Sequence, residues 1–174
     1  MTDEELMTAI CAGDNSAYEA IVRRHLKPVS QYAWRMLGNQ RDVEDIAQDA
    51  FLKLWINAAS WQPAKARLST WIHRIAHNLC IDHLRKRREE LGEEEAVQDT
   101  GPLDEVAAES EMGRLRAALG QLPQSQRSAI SLCHYQGFSN REAAAIMDVS
   151  VQALESLLAR AKRSLRKTLK TGEE

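Results

Sequence analysis

The sequence predicts an all-α fold of two small helical domains joined by an acidic flexible linker, and three observations predict it. Apolar residues recur at intervals of three and four along most of the 174-residue chain. No stretch shows the alternation of a half-buried strand, and there is no internal repeat. Charge is also partitioned. Residues 1–88 carry 13 Lys or Arg against 10 Asp or Glu, residues 89–111 carry 10 acidic residues and no basic one, and residues 112–174 carry 10 basic against 5 acidic. The formal net charge of −2 thus hides two mildly basic modules around an acidic segment. The expected division is 1–90, 91–111 and 112–174.

The elements follow in order. Glu4 to Ala12 forms a short helix ended near Gly13-Asp14. Ser16 to Met36 carries apolar Ala17, Ile21, Val29, Ala33 and Leu37, with Pro28 marking a kink or a join. Arg41 to Asn57 is strongly amphipathic through Val43, Ile46, Ala47, Ala50, Phe51 and Leu54. After the loop SWQPAKAR, a long helix runs from about Ser69 to Arg88, with Ser69 or Thr70 as its cap. The acidic stretch EELGEEEAVQDTGPLDEVAAESE contains two glycines, a proline and mutually repelling charges, so it reads as a solvated linker, mobile at least from Glu89 to Pro102. It could also shield the basic modules from non-specific DNA. A short helix near 111–119, a helix from Gln124 to about Tyr135 and the stretch GFSNREAAAIMDVSVQALESLLARAKRSLRK complete the chain.

Composition excludes several classes. The three cysteines, Cys11, Cys80 and Cys133, are odd in number and widely spaced, which argues against a disulfide framework and for a reducing compartment. The acidic N-terminus lacks the basic start of a signal peptide, and no run reaches the eighteen or so apolar residues of a membrane span. A soluble cytoplasmic protein is expected, with no membrane insertion.

The last stretch reads as a helix-turn-helix. Ser139 with Glu142 forms a capping-box pattern, Ala143 to Ala145 permit close helix packing, and Ile146, Val149 and Leu154 supply a small core. Ser150 caps the second helix and leaves Asp148-Val149 as the turn. Such a pair can place its second helix in the major groove. Gln152, Ala153, Glu155 and Ser156 form a candidate base-facing set: Gln can pair with adenine, Glu can accept from cytosine, and Ala can meet a thymine methyl. Arg160, Lys162 and Arg163, followed by Arg166 and Lys167, suit phosphate contacts, as does Arg141 on the first helix.

The other module has a different surface chemistry. Asp42, Glu44, Asp45, Gln48 and Asp49 make the 41–57 helix acidic, with Leu52 and Trp55 at the edge of its apolar stripe. Such a face is poorly placed against phosphate and better placed against a protein. The next segment, from Trp61 to Arg88, combines aromatic and basic residues.

Four segments in order, EDIAQDAFLKLW, STWIHRIAHNLCIDHLRKRR, LPQSQRSAISL and the helix-turn-helix stretch, closely resemble the sigma-70 family of bacterial RNA polymerase sigma factors, in its short extracytoplasmic-function (ECF) class. They cover nearly all the chain outside the linker. The resemblance implies a region 2 that binds the clamp of core polymerase and opens the −10 promoter element. It implies a region 4 that reads the −35 element as duplex and docks on the polymerase flap. Carried onto this sequence, it assigns polymerase binding to Asp42, Glu44, Asp45, Gln48, Asp49, Leu52 and Trp55. It assigns the −10 strand to Trp61, Lys65, Arg67, Ser69, Thr70, Trp71, Arg74, Asn78, Arg85 and Arg88. The −35 element falls to Arg141, Ser150, Gln152, Ala153, Glu155, Ser156, Arg160, Lys162 and Arg163. Trp71 shares a helical face with Ile75 and Leu79, which favours core packing. An anti-sigma factor is a further implied partner. Where many members have a glycine-threonine pair and a basic residue at the start of the recognition helix, this chain has Gln152, Ala153 and Glu155, with Leu157 in place of a common arginine.

His73, His77 and Cys80 share one helical face, a spacing that could offer zinc three ligands, but the resemblance implies no metal there and packing is the expected role. No carboxylate pair, nucleophile triad or phosphate-cradling glycine loop points to an enzyme, a cofactor or a small-molecule substrate. A free-standing helix-turn-helix regulator is the alternative, and it would need neither the 41–57 nor the 61–88 signature nor the long linker; a decoy that binds an anti-sigma factor without DNA is a third, favoured by the acidic Glu155.

Overall fold

The computed structural model describes residues 1–92 and 110–171, and those residues are helical throughout their regular structure. The first module contains α1 (Asp3–Cys11), α2 (Asn15–Leu37), α3 (Gln40–Ile56), a short 3-10 turn at Ala58–Ser60 and α4 (Leu68–Leu91). The second contains α5 (Glu111–Gln121), α6 (Gln124–Ile130), a π-helical turn at Ser131–Tyr135, α7 (Asn140–Met147) and α8 (Val151–Thr171). Residues 93–109, which include most of the acidic linker, lie outside the described residues.

Local chemistry sets the helix ends. Thr2 and Glu5 form a capping box on α1, while the Asp14 carboxylate accepts the Ser16 and Ala17 amides and the Asn39 side chain accepts those of Arg41 and Asp42. Gly38 closes α2 in the left-handed region at φ 69°, where a Cβ would be strained. α2 continues unbroken through Pro28. The cap expected at Ser69 or Thr70 is not formed: α4 begins at Leu68, its N-cap is Arg67, and no side chain caps it. Both residues sit inside the first turn, and the Thr70 hydroxyl is used elsewhere.

The α1–α4 core is built from the faces that periodicity marks. Ile21, Val29, Ala33, Ala50, Leu54, Ile72 and Ala76 are fully enclosed. In the second module, Leu132, Ala143, Ile146, Leu154 and Ala161 pack together, whereas Val149 is 36% exposed and stays outside that core. Val149 follows Asp148, whose left-handed backbone (φ 55°) ends α7 and turns the chain outward.

The two modules pack against each other, with α4 meeting α7 and α2 meeting α5, α6 and the π turn. Tyr32 on α2 is wholly buried, its hydroxyl hydrogen-bonded to His77 Nδ1 at 2.7 Å and 3.5 Å from Ser128 Oγ on α6. Arg127 donates to the Met36 carbonyl in the last turn of α2 at 2.6 Å, a cation placed on the negative end of a helix. Gln136 follows the π turn and joins three partners. Its carbonyl accepts from Arg35 at 2.8 Å, and its amide donates to the Pro28 carbonyl at 2.7 Å and to His73 Nε2 at 3.0 Å. Phe138 completes the contact edge-on to His73, ring centroids 4.7 Å apart.

Candidate nucleic-acid interface

Three surfaces carry the residues singled out from sequence. The first lies on α3. Amphipathic pairing of its apolar side with α2 and α4 turns Glu44, Asp45, Gln48, Asp49 and Leu52 outward together, joined at the end of the helix by Ile56. Leu52 is 53% and Ile56 67% exposed, so two large apolar side chains extend the acidic row. Asp42 and Trp55 are placed differently. The Asp42 carboxylate faces α4, 3.2 Å from His83 Nε2 and 3.9 Å from Arg87. Trp55 is half-buried and packs edge-on against Tyr18 of α2 at 5.1 Å. Ile56, absent from the sequence assignment, belongs to the exposed row; it follows from the same helical face as Leu52, four residues earlier.

The second surface is the loop before α4 and the first turns of that helix. The Trp61 indole N–H donates to the Ala66 carbonyl at 3.0 Å and so closes the loop on itself. This holds Lys65 and Arg67 at the exposed rim, with Arg74 and Asn78 exposed one and two turns into α4. Ser69 is half-buried and gives its carbonyl to His73 Nδ1 at 2.8 Å. Trp71 is half-buried against the core, as its shared face with Ile75 and Leu79 predicts. Further along α4, Arg85 pairs with Asp82 at 3.3 Å and Arg88 donates to Gln124 Oε1.

Here the second module intrudes. Glu142 Oε2 accepts from Arg67 Nε at 2.9 Å and from the Thr70 hydroxyl at 3.2 Å. Its other oxygen accepts the Ser139 amide at 3.1 Å, while Ser139 Oγ accepts the Glu142 amide, completing the expected capping box. Burial pushes the Glu142 carboxyl up, but Arg67 and the Ser139 bonds outweigh it and hold the group below the usual carboxylate range.

The third surface is α8. Ser150 Oγ accepts the Ala153 amide at 3.0 Å and fixes the start of the helix. Gln152, Ala153, Glu155 and Ser156 then project to solvent, and Arg160, Lys162 and Arg163 are exposed beyond them. Arg141 is exposed on α7, so the sequence-assigned −35 residues form one accessible set. Leu154 and Leu158 hold the helix down from its other side.

His73, His77 and Cys80 do share a face, and that face is a packed one. Both ring nitrogens of His73 are occupied by Ser69 and Gln136, and the His77 Nδ1 is taken by Tyr32. Burial pushes both imidazoles down to about 4 and the Cys80 thiol up to about 12, so all three stay neutral near pH 7. Sequence reasoning missed Tyr32, Arg127, Gln136 and Glu142 as joining residues.

Comparison with known proteins settles the family. The sigma-70 region 2 family model matches residues 21–90, and the sigma-70 region 4 model matches residues 112–165. The chain belongs to the ECF class of sigma-70 family RNA polymerase sigma factors. The ECF sigma factor SigE of Mycolicibacterium smegmatis is 33% identical over 178 residues, covering 95% of this chain and 68% of the relative. SigM of Mycobacterium tuberculosis strain H37Rv is 32% identical over 169 residues, covering 97% and 85%. Among solved structures, CnrH in complex with the cytosolic domain of CnrY is 29% identical with a TM-score of 0.76, covering 97% of both chains. The sigma factor RpoE of Bartonella quintana, in complex with the anti-sigma factor NepR, is 26% identical with a TM-score of 0.72, covering 88% of this chain and 96% of the other. An ECF sigma factor directs RNA polymerase to promoters and is not itself an enzyme. Among the described residues, no helix is long and apolar enough to cross a membrane.

Proposed function

We propose that this sigma factor divides its work among the three surfaces, with residues 1–90 as region 2, 91–111 as linker and 112–174 as region 4. The exposed row Glu44, Asp45, Gln48, Asp49, Leu52 and Ile56 docks on core polymerase, its carboxylates meeting basic residues and its two aliphatic side chains entering an apolar recess. Asp42 and Trp55 support that row from behind, since one is tied to α4 and the other to α2.

The loop from Trp61 to Arg67 and the exposed side of α4 take the unpaired −10 strand. Lys65, Arg67, Arg74 and Arg85 serve its phosphates, with Arg88 behind them, while Asn78 and Thr70 offer hydrogen bonds to bases. The N-terminal turns of α8 read the −35 duplex through Gln152, Ala153, Glu155 and Ser156, with Arg141, Arg160, Lys162 and Arg163 on the backbone. Region 4 also docks on the polymerase flap. An anti-sigma factor is the expected antagonist, because the similar RpoE was solved with one. The factor works where polymerase works, in the cytoplasm.

The observation that carries this reading is the coexistence on one chain of an open recognition helix and a separate exposed acidic and aliphatic row. A free-standing regulator has no use for the second. Run-off transcription with core polymerase on a promoter pool tests it. Initiation at sites sharing one −35/−10 pair is expected only when the protein is added. Tight duplex binding with no initiation supports the free-standing regulator instead.

A further inference from the structure

The start of α8 differs in chemistry from its end. From Val151 to Ala159 the helix carries no basic residue and a single acid, Glu155; its first cation is Arg160. Guanine is most often read by an arginine or lysine on its O6 and N7. Nothing on the first two turns of α8 can do this. What those turns expose instead is apolar or neutral. Val149 is 36% and Val151 39% exposed, one on each side of the capping Ser150, and Ala153 is exposed beyond them. The exposure of Val149 is built into the turn. Asp148 reverses the chain at φ 55°, and the Val149 amide is fixed to the Ala144 carbonyl at 3.0 Å, which leaves its side chain outside the core. Val151 and Glu155 lie four residues apart and share a helical face. Among the described residues, the Glu155 carboxylate has no hydrogen bond or ion pair, so its acceptors are free.

We propose that Val149 and Val151 are specificity-determining residues that receive thymine methyl groups, with Glu155 accepting from a cytosine amino group beside them, so that the −35 element is read without an arginine on guanine. This rests on the assignment of α8 to the −35 duplex. In the major groove only thymine presents a methyl group, and contact with a valine removes both apolar surfaces from water. Glu155 acts mainly by exclusion. A carboxylate brought into the groove meets acceptors on guanine (O6 and N7) and on thymine (O4), and is satisfied only by an exocyclic amine. Phosphate attraction comes from Arg160, Lys162 and Arg163, one turn and more beyond, so affinity and base choice fall to different parts of one helix.

The test uses the full chain with core polymerase. Run-off transcription from promoters randomised across the −35 region yields the enriched element, which is then rebuilt with single-atom-group changes. Deoxyuridine in place of each thymine removes only the methyl, and 7-deazaguanine in place of each guanine removes only N7. Deoxyuridine at one or two positions is expected to lower initiation about fourfold, the worth of one methyl group taken from water. 7-Deazaguanine is expected to change nothing. Val149→Ala and Val151→Ala should each abolish the deoxyuridine effect at its own thymine and leave urea unfolding unchanged, since both side chains are exposed. Glu155→Ala should lose a cytosine preference at one position and raise initiation from unrelated −35 sequences. An enriched element in which deoxyuridine is neutral everywhere, or in which both valine variants keep the full wild-type effect, overturns the proposal. So does a 7-deazaguanine loss as large as the deoxyuridine one. In each of those cases the enrichment itself leaves α8 assigned to the −35 duplex. Initiation with no −35 enrichment at all removes that assignment, and the proposal with it.

Discussion

Lowering the pH from 7 to 5 should loosen this protein through two histidines. His73 and His77 are buried where the modules meet, and that burial pushes both imidazoles from 6.5 down to about 4. The bonding explains why protonation is resisted. His73 Nδ1–H donates to the Ser69 carbonyl, so Nε2 must accept from the Gln136 amide, and a proton on Nε2 would set donor against donor. Gln136 cannot turn its oxygen inward without giving up Arg35 and Pro28. His77, bonded through Nδ1 to the Tyr32 hydroxyl, is held neutral by burial. Between pH 6.5 and 4 the unfolded chain therefore binds more protons than the folded one, so stability rises with pH in this window and is lost as pH falls through it. For ordinary and buried values of 6.5 and about 4, the loss from pH 7 to pH 5 comes to about 2 kcal/mol for each histidine. Both together cost about 4 kcal/mol, a large share of a small domain's stability. Urea unfolding followed by circular dichroism at pH 7, 6 and 5 reads the slope. His73→Gln and His77→Gln should each remove about half of the pH dependence while changing stability at pH 7 by their own packing cost. A flat profile in wild type, or an undiminished wild-type slope in both variants, refutes the burial argument.

Other surfaces make separate predictions. Leu52→Asp, or Leu52→Asp with Ile56→Asp, should weaken association with core polymerase by more than tenfold in a pull-down or fluorescence titration, and leave binding to a −35 duplex unchanged; equal loss of both removes α3 as the docking helix. Asp42→Asn should instead show mainly as lower stability, because its partners are His83 and Arg87 on α4. Ser139→Ala should cost about 1 kcal/mol in urea unfolding through loss of the cap on α7, and should weaken −35 duplex binding only as far as region 4 unfolds.

Helix positions were legible in the sequence because each depends on neighbours three or four residues away. The caps at Ser139 and Ser150 and the inward sides of α2, α3 and α8 are all of that kind, whereas those at Asp14 and Asn39 went unread. Where the reading went astray, a contact from far along the chain had intervened. Thr70 looked like a cap, yet its hydroxyl bonds Glu142, 72 residues later. Asp42 looked like part of an outward acidic face, yet it sits at the edge nearest α4 and is turned there by His83. Gln136 carried no signal, since its partners Pro28, Arg35 and His73 lie between 63 and 108 residues away. Periodicity assigns a residue to a face but cannot name the face across from it.

The modules meet through specific polar contacts, Tyr32 with His77, Gln136 with Pro28, Arg35 and His73, and Arg127 with the end of α2. An interface of leucines would be costly to part, because every exposed apolar area returns its full transfer free energy. Hydrogen bonds exchanged for bonds to water cost only about 0.5–1.5 kcal/mol each in net terms. Arg127 Nε, Ser131 Oγ and Gln126 Oε1 are buried without partners among the described residues, a cost that the second module carries in its folded form. The Arg127 guanidinium is itself pushed below its ordinary value by burial, a sign that its charge is under-solvated where it stands. The buried apolar residues of both modules form one continuous cluster, so the contact between them is held by apolar packing as well as by these bonds.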